Sequence, residues 1–340
     1  MRTDDFDYNL PPRFIAQRPA EPRDSSRLLV LDRARNTITH AVFRDLPAYL
    51  NRGDALVLNE TRVIPARLQA RKHPGGGRVE LLLLRRLEPR VWEVMVGGRG
   101  LRVGAVVRVD GGPEGTIEAA GTGALRVVRF ADRISPLLDS IGAMPLPPYI
   151  REPLQSPDEY QTVFARTPGS AAAPTAGLHF TTALLRAIAS AGVNVAQVAL
   201  HIGLDTFAPV AVDDPTLHPI HSERCRLDSV AAQTINDARR TGRRVIAVGT
   251  TSVRTLETAA VYAAPGDTVG GFEGETDLLI LPGHRFRAVD AMITNFHLPR
   301  STLLMLVSAF AGRDRILAAY ETAKVEGYRF YSFGDAMLIL

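Results

Sequence analysis

The chain has 340 residues, of which 46% are hydrophobic and 22% charged, and these values exclude global disorder. A chain of this length can bury a large core, and two domains are expected. The net charge of +4 is small, and the single cysteine, Cys225, excludes an intrachain disulfide and a zinc site built from several cysteines. We expect Cys225 to be an inert structural thiol, with a nucleophilic thiol as the alternative.

Two segments bear on localisation. Residues 1–8 carry three aspartates and no apolar stretch, the reverse of a secretory signal. The longest apolar run, residues 303–311, is too short to cross a bilayer as a helix. We therefore expect a cytoplasmic protein that has no membrane partner.

Two early runs, residues 28–31 and 54–58, have the composition of strands. The next part of the chain contains short β-prone segments, and glycine-rich turns separate them. These segments are residues 78–84, 91–96, 105–109 and 125–130. Their spacing predicts a small antiparallel barrel. Repeated prolines at residues 145–148 then end the barrel, because proline cannot continue a strand ladder.

From about residue 160 onward, predicted strands alternate with predicted helices. Apolar runs at residues 195–201, 245–248 and 288–294 indicate strands, and Ser, Thr or Asp residues in capping positions indicate the helix starts. This alternation favours an α/β layer or barrel.

Two domains follow from these patterns. Residues 1–65 and 150–340 are predicted to form an α/β barrel-like catalytic domain, and residues 66–149 an inserted all-β barrel domain. From Arg62 to Arg108, eleven lysines and arginines stand against three glutamates. This surplus suits a polyanionic partner such as RNA, with a solvated strand face as the alternative. The inserted domain is therefore a candidate RNA-contacting element.

Residues 169–181 combine small residues, a histidine and a helix start. Small residues let the backbone approach a ligand closely, and a helix start offers free N–H groups. Ser170, Thr175 and Gly177 are therefore candidate substrate-binding residues, and His179 is a candidate acid or base. A flexible loop with a surface histidine is the alternative.

His201 and Asp205 lie at and just after the end of the strand predicted at residues 195–201. Side chains in this position commonly line the ligand crevice of α/β proteins, so both are candidate substrate-binding residues. A purely structural His201 is the alternative.

His218, His221 and Glu223 resemble a metal site in composition. Pro219, however, opposes the helical spacing that would bring the two histidines together, and no HExxH motif is present. Imidazole and carboxylate groups can instead exchange protons near neutral pH. His221 and Glu223 are therefore candidate catalytic residues.

Residues 248–257 run from a strand through a glycine and a hydroxyl cluster into a helix. Such a junction can form an anion-binding nest. Thr250, Thr251, Ser252 and Arg254 are candidates for binding a carboxylate or a phosphate. The lysine of a Walker loop is missing, and an ordinary helix cap is the alternative.

Residues 294–302 again join a strand to a helix and are densely polar. Asn295 is a candidate for binding a base or a ribose, and His297 is a further candidate for proton transfer. No GxGxxG motif follows an early strand, so neither a dinucleotide site nor the usual methyltransferase pocket is supported.

In this order, the segments resemble the S-adenosylmethionine:tRNA ribosyltransferase-isomerase family of the queuosine pathway, over almost the whole chain. The stretches that carry the resemblance include DFDYNLP at residues 5–11, NETRVIPAR at 59–67, PLPPYI at 145–150 and YRFYSFGD at 328–335. The resemblance implies an α/β barrel with an inserted β-barrel, which agrees with the domains predicted above.

The resemblance also implies a reaction. The ribosyl moiety of S-adenosylmethionine, a co-substrate, passes to the 7-aminomethyl group of 7-aminomethyl-7-deazaguanine (preQ1) in the tRNA anticodon. Epoxyqueuosine forms, adenine and methionine leave, and neither a metal nor another cofactor is needed. The expected partners are therefore tRNA and S-adenosylmethionine, and we expect a monomer.

This chemistry requires a base for the 5′ carbon, which the sulfonium acidifies, and an acid for the departing adenine. We assign the proton transfers to His179, His221 and Glu223, with His297 as a further candidate. Asn59 and Arg62 are expected near the pocket.

Two other classes remain as alternatives: a non-catalytic RNA-binding protein that uses the arginine-rich insert, and a metal-dependent hydrolase built on residues 218–223. The dense histidine and hydroxyl segments outside the insert argue against the first.

Overall fold

The computed structural model describes residues 1–98, 100–203, 210–220 and 222–340. The chain divides into two units, which we call the α/β unit and the barrel unit. The α/β unit contains Met1–Thr61, Pro148–Thr167 and Ala173–Leu340. The barrel unit contains Arg62–Pro147 and Pro168–Ala172. The predicted fold class, a mixed α/β domain with an inserted all-β barrel, is confirmed, but the strands described for the α/β unit form an open sheet and not the barrel-like arrangement that was expected.

The strands are numbered along the chain. They are β1 (Arg27–Asp32), β2 (Thr37–Val42), β3 (Ala55–Asn59), β4 (Thr61–Val63), β5 (Arg67–His73), β6 (Arg78–Glu88), β7 (Val91–Gly97), β8 (Val106–Val109), β9 (Glu114–Ala120), β10 (Leu125–Phe130), β11 (Gly142–Ala143), β12 (Thr167–Ser170), β13 (Asn194–Leu200), β14 (Glu223–Leu227), β15 (Val245–Val248), β16 (Phe272–Thr276), β17 (Ala291–Asn295) and β18 (Ala336–Ile339).

The α-helices are α1 (Leu138–Ile141), α2 (Thr182–Ser190), α3 (Ser229–Arg240), α4 (Thr250–Ala259), α5 (Thr302–Ala311) and α6 (Arg313–Val325). Short 3₁₀ helices connect many of the elements. They are Thr3–Phe6, Pro12–Phe14, Arg23–Ser25, Phe43–Tyr49, Ser135–Leu137, Pro157–Tyr160, Thr175–His179, Pro215–Leu217 and Ala260–Tyr262. Within the described ranges, no helix is both long enough and apolar enough to span a membrane.

One nine-stranded mixed sheet organises the α/β unit, in the order β16-β14-β13-β3-β15-β17-β18-β1-β2. Its four central strands, β13, β3, β15 and β17, are parallel to one another, with Val57 opposite both Ala196 and Ala247. The carboxyl ends of these four strands therefore meet at the same edge of the sheet. This is the edge where open α/β sheets commonly bind ligands.

The central strands are apolar because both faces of the sheet are covered. All five residues of β3 are buried. Leu56 and Leu58 belong to one hydrophobic cluster, and Val57, between them, belongs to the other. A strand buried on both faces has a continuous apolar run rather than an alternating pattern, as the sequence at residues 54–58 indicated.

Side-chain caps fix the starts of three helices at the predicted positions. Thr181 caps α2, Asp228 caps α3 and Ser301 caps α5, and each side-chain oxygen accepts a hydrogen bond from the amide three residues later. These bonds satisfy donors that would otherwise have no partner in the first helical turn.

The barrel unit is a closed antiparallel barrel of six strands. They follow the order β5-β6-β7-β10-β9-β8, pairing of β5 with β8 closes the ring, and β11 extends it beside β5. Its buried interior includes Leu81, Leu83, Val94, Val107 and Val128. The four predicted strands are found as β6, β7, β8 and β10, whereas β5 and β9 were not predicted.

Candidate active site

A cavity lies at the carboxyl edge of the central strands of the α/β unit, with about 600 Å³ of space when the open solvent at its mouth is included. Most of its wall comes from residues 173–176, 249–251, 294–298 and 331–332. Tyr149, Ile202, Ser301 and Leu303 complete the wall. Three of the predicted segments, those around Thr175, Thr250 and Asn295, therefore meet here.

The amino terminus of α4 forms one part of the cavity wall. Gly249 precedes the helix with a φ of 85°, a left-handed conformation that favours glycine. Thr250 and Thr251 follow it and line the cavity. The first amides of a helix have no intrahelical acceptor, and the helix dipole places partial positive charge there. This end of the cavity can therefore bind an anionic group such as a carboxylate.

Ser252 belongs to the same turn, but its hydroxyl is bonded to the backbone and does not serve to bind an anion. Its hydroxyl donates a hydrogen bond of 2.7 Å to the carbonyl of Val248, and the side chain is fully buried. The oxygen therefore supports the strand–helix junction.

Asn295, at the end of β17, is the centre of a hydrogen-bond network. Its Oδ1 accepts from the hydroxyl of Thr175 at 3.0 Å. Its Nδ2 donates to the carbonyl of Tyr331 at 3.2 Å and lies 3.1 Å from Nε2 of His179. Because a carbonyl can only accept, the Tyr331 contact fixes the orientation of the Asn295 amide.

This orientation also defines the state of His179. Nε2 must accept from Asn295, so Nδ1 carries the proton and donates to the hydroxyl of Ser26, 2.8 Å away. Burial, reinforced by the positive charges of Arg329 and Arg23, lowers the pKa of His179 to about 3. His179 is therefore a neutral ring, and both of its nitrogens are hydrogen-bonded. It contacts the cavity-lining Asn295 but is not itself part of the cavity wall.

His297 is the imidazole that lines the cavity directly. Its Nε2 lies 2.8 Å from the hydroxyl of Thr294, and its amide donates to the hydroxyl of Tyr320 at 2.9 Å. Burial lowers the pKa of His297 to about 3. The ring is therefore uncharged at neutral pH, and the same burial makes it a weaker base than a free imidazole.

Asn59 joins three elements behind the α4 terminus. Its Nδ2 donates to the carbonyl of Leu200 and to the hydroxyl of Thr251, both at 3.1 Å. Its Oδ1 accepts from the amides of Thr61 and Leu200, also at 3.1 Å. The side chain is buried and ties β3 to β13 and to the cavity-lining Thr251.

Glu223 and Arg254 form a buried ion pair, through Oε2 and Nη1. The guanidinium also donates to the carbonyls of Leu278 at 3.0 Å and Thr276 at 3.2 Å. The other carboxylate oxygen accepts from the amide of Gly203 at 2.9 Å. Both charged groups thus have protein partners, and neither residue is part of the cavity wall described above.

His201, at the end of β13, lies 2.9 Å from the hydroxyl of Thr61 through Nδ1. Burial, with the charges of Arg224 and Arg226, lowers the pKa of His201. Its neighbour Ile202 lines the cavity. His201 is therefore a neutral ring, and Thr61 holds it beside the cavity.

Gly177 has a packing reason to be glycine. A Cβ at this position would lie 2.8 Å from Cζ of Phe164 and 2.9 Å from Cγ2 of Thr162. Two other candidates, Arg62 and Ser170, belong to the barrel unit. Arg62 is exposed, and the buried hydroxyl of Ser170 donates to the carbonyl of Ala172 at 2.7 Å.

Asp205 and His221 lie outside the described residues. Among the residues that the structure describes, no group of three or more His, Cys, Asp or Glu side chains is arranged to hold a metal ion. Cys225 is buried, and burial raises its pKa to about 12, so its thiol stays protonated at neutral pH.

Comparison with known proteins relates these features to a family. Residues 3–339 match the family described as queuosine biosynthesis protein. The S-adenosylmethionine:tRNA ribosyltransferase-isomerase of Symbiobacterium thermophilum is 55% identical, and the match covers 100% of both chains. The protein of the same name from Moorella thermoacetica is 54% identical with the same coverage.

The chain belongs to the queuosine biosynthesis protein family. It is an enzyme. A solved structure, the S-adenosylmethionine tRNA ribosyltransferase of Thermotoga maritima, is 39% identical with a TM-score of 0.58, and the match covers 99% of this chain and 100% of that one.

The cavity residues that were not among the candidates from the sequence include Tyr149, Tyr331 and Ser332. Tyr149 packs on Tyr331 with ring centroids 4.5 Å apart, and its hydroxyl lies 2.7 Å from Oγ of Ser332. A signal was present, because all three residues fall in the two stretches, 145–150 and 328–335, that carry the family resemblance. Neither stretch follows a strand in the way that led us to the other candidates.

Proposed function

We propose that this enzyme transfers and isomerises the ribosyl moiety of S-adenosylmethionine onto the 7-aminomethyl group of preQ1 in the anticodon of tRNA. The products are epoxyqueuosine-tRNA, adenine and methionine. S-adenosylmethionine is a co-substrate, and no metal or other cofactor takes part. The names of the full-length relatives support the reaction class, and the cavity at the sheet edge supports the site.

The observation that carries the proposal is the pairing of an anion-binding helix terminus with an uncharged imidazole in one cavity. The amides at the start of α4 suit the methionine carboxylate. Ile202, Leu298 and Leu303 supply apolar surface for the nucleoside. His297 is neutral, so it does not repel the sulfonium, and its place in the cavity wall makes it a candidate for the proton transfers.

Within this proposal the candidate histidines have different roles. His297 lines the cavity and is the candidate for proton transfer there. His179 uses both ring nitrogens to hold Ser26 and Asn295, so it orients Asn295 toward the cavity. Glu223 binds Arg254 and the amide of Gly203, so it stabilises the segment that follows β13.

The tRNA is the second substrate, and the barrel unit offers charge for it. Several of its arginines are neutralised by ion pairs, such as Arg71 with Asp110. In contrast, Arg78, Arg86 and Arg102 are exposed and have no ion pair with another described residue. We propose that these three arginines bind tRNA phosphates.

The charge proposal is tested by measuring tRNA affinity at several salt concentrations. Replacing Arg78, Arg86 and Arg102 together with alanine should weaken binding and flatten the dependence of log Kd on log salt. Arg71→Ala is the matched control, because an arginine that is already paired should contribute less. Equal salt slopes for the wild type and the triple variant would refute a phosphate-binding role.

The reaction is tested with labelled S-adenosylmethionine and tRNA that carries preQ1. Free adenine and modified tRNA should appear together, and tRNA that lacks the precursor base should give neither. A chelator should leave the rate unchanged. The proposal fails if no adenine is released with the modified tRNA, or if release depends on added metal.

A further inference from the structure

The hydroxyl of Tyr331 is buried in the cavity wall without a hydrogen-bond partner. The residue lines the cavity and is 4% exposed. No hydrogen-bond partner for its oxygen exists among the residues that the structure describes. Burying a hydroxyl without a partner is unfavourable. An unpaired hydroxyl in a ligand cavity is therefore expected to gain its partner from the ligand.

The backbone of Tyr331 is held in an unusual conformation. Its φ is 73°, in the left-handed region that bulky residues rarely adopt. The amide donates to the carbonyl of Phe296 at 3.2 Å. The carbonyl accepts from Asn295 Nδ2 at 3.2 Å and from the amide of Gly334 at 2.9 Å. The surrounding structure thus maintains a conformation that is unfavourable for tyrosine, as is common at functional sites.

The ring of Tyr331 is also fixed before a ligand binds. It packs on Tyr149, whose own hydroxyl is anchored to Ser332. A preorganised donor is effective because little reorganisation is needed at the moment of reaction. The aromatic pair and its single unpaired hydroxyl form a wall that suits a flat heterocycle with acceptor nitrogens at its edge.

We propose that the Tyr331 hydroxyl donates a hydrogen bond to a ring nitrogen of the adenine of S-adenosylmethionine and thereby stabilises adenine as it leaves. This inference rests on the proposed function. Thr250 and Thr251 lie at the α4 terminus, which suits the methionine carboxylate, so the base is the part of the ligand left for Tyr331.

The chemistry of the step explains why a donor is needed. When the C1′–N9 bond breaks, its electron pair goes to adenine. Adenine leaves neutral only if it gains one proton, which balances the proton removed from the 5′ carbon. Burial raises the pKa of Tyr331, so the hydroxyl keeps its proton and remains a donor. A hydrogen bond to the nitrogen that gains negative charge lowers the barrier to this step.

The test is Tyr331→Phe, which removes only the hydroxyl. We expect kcat for adenine release to fall about 100-fold, as for the loss of one donor in other enzymes, with KM for S-adenosylmethionine little changed. Tm should be unchanged or higher, because an unpaired buried hydroxyl is removed. Tyr160→Phe is the matched control, because Tyr160 is also a fully buried tyrosine but is not part of the cavity wall.

A second substrate separates a donor from a merely structural residue. The 2-fluoroadenine analogue of S-adenosylmethionine has a better leaving group, so the ratio of wild-type to variant kcat should shrink with it. Equal kcat for wild type and Tyr331→Phe would overturn the inference, and so would the same ratio with both substrates. Failure of the proposed function is distinguishable, because the wild-type enzyme would then release no adenine.

Discussion

Replacing Glu223 with glutamine leaves the guanidinium of Arg254 buried without a counter-charge among the residues that the structure describes. The two side chains are 6% and 7% exposed, so solvent screens the pair little. Breaking a buried ion pair by removing one partner typically costs about 3–5 kcal/mol. We therefore expect Glu223→Gln to lower the free energy of unfolding of the α/β unit by about 3 kcal/mol or more.

Arg254→Met should destabilise at least as much, because it also removes the bonds to the carbonyls of Leu278 and Thr276. The double variant leaves neither charge unpaired. Its destabilisation should therefore be smaller than the sum of the two single effects, with a coupling energy of about 2 kcal/mol.

Urea unfolding followed by far-UV circular dichroism measures these changes. The single tryptophan, Trp92, lies in the barrel unit, so its fluorescence reports that unit separately. Glu273→Gln is the matched control, because Glu273 pairs with Arg224 at 2.6 Å with side chains 54% and 64% exposed. Its unfolding midpoint should hardly move, as is usual for exposed pairs.

Adenine release, measured on the same variants, shows whether Glu223 has a structural or a catalytic role. A structural carboxylate predicts that folded Glu223→Gln enzyme, assayed well below its unfolding midpoint, retains much of its activity. If the variant unfolds at the same urea concentration as the wild type but releases no adenine, the ion-pair argument is wrong and Glu223 takes part in the chemistry.

Three further predictions concern buried groups. Burial lowers the pKa of His179 and His297 from 6.5 to about 3. As the pH falls, these two imidazoles are therefore protonated in the unfolded chain before they are protonated in the folded chain. Stability is full above pH 6.5 and declines toward pH 3, with a loss of about 2 kcal/mol per histidine at pH 5. Urea unfolding from pH 7 to 5 should show this decline, and a similar decline after both are replaced with glutamine would contradict it. Gly177→Ala should destabilise by about 1–3 kcal/mol, because the new Cβ overlaps Phe164, whereas Gly271→Ala, with its closest contact at 3.6 Å, should be mild; equal Tm values would refute the packing argument. Ser252→Ala should keep adenine release within about twofold, because its hydroxyl is bonded to the Val248 carbonyl, and a loss of more than about tenfold would place it in substrate binding.

The barrel unit shows which strands the local sequence pattern can predict and which it cannot. The apolar strands β6 and β7 were predicted because their residues favour strands in any setting. The unpredicted β5, with sequence RLQARKH, has an alternating burial pattern in which charged residues face outward. It is recognised as a strand only when β6 and β8 pair with it on either side. Local composition does not predict which distant segments pair with one another.

A similar limit applies to β14. No strand was predicted here, and only its first residue, Glu223, was assigned to a His–Glu group. In the fold, Glu223, Cys225 and Leu227 face inward and the two arginines outward. The carboxylate is buried because Arg254, 31 residues away, meets it there. A charged residue inside a strand is stable only with such a partner, and the partner comes from another element.

The sequence by itself determined the four central strands of the α/β unit and three of the segments that form the cavity. Apolar runs, capping residues and polar strand ends are local features, and the carboxyl ends of parallel strands necessarily meet at one edge. The tertiary structure alone decided what each polar group does there. His179 and His297 are the same side chain, but one has both nitrogens engaged by Ser26 and Asn295, and the other lines the cavity. An imidazole's role depends on its hydrogen-bond partners and burial, and residues more than a hundred positions apart supply both.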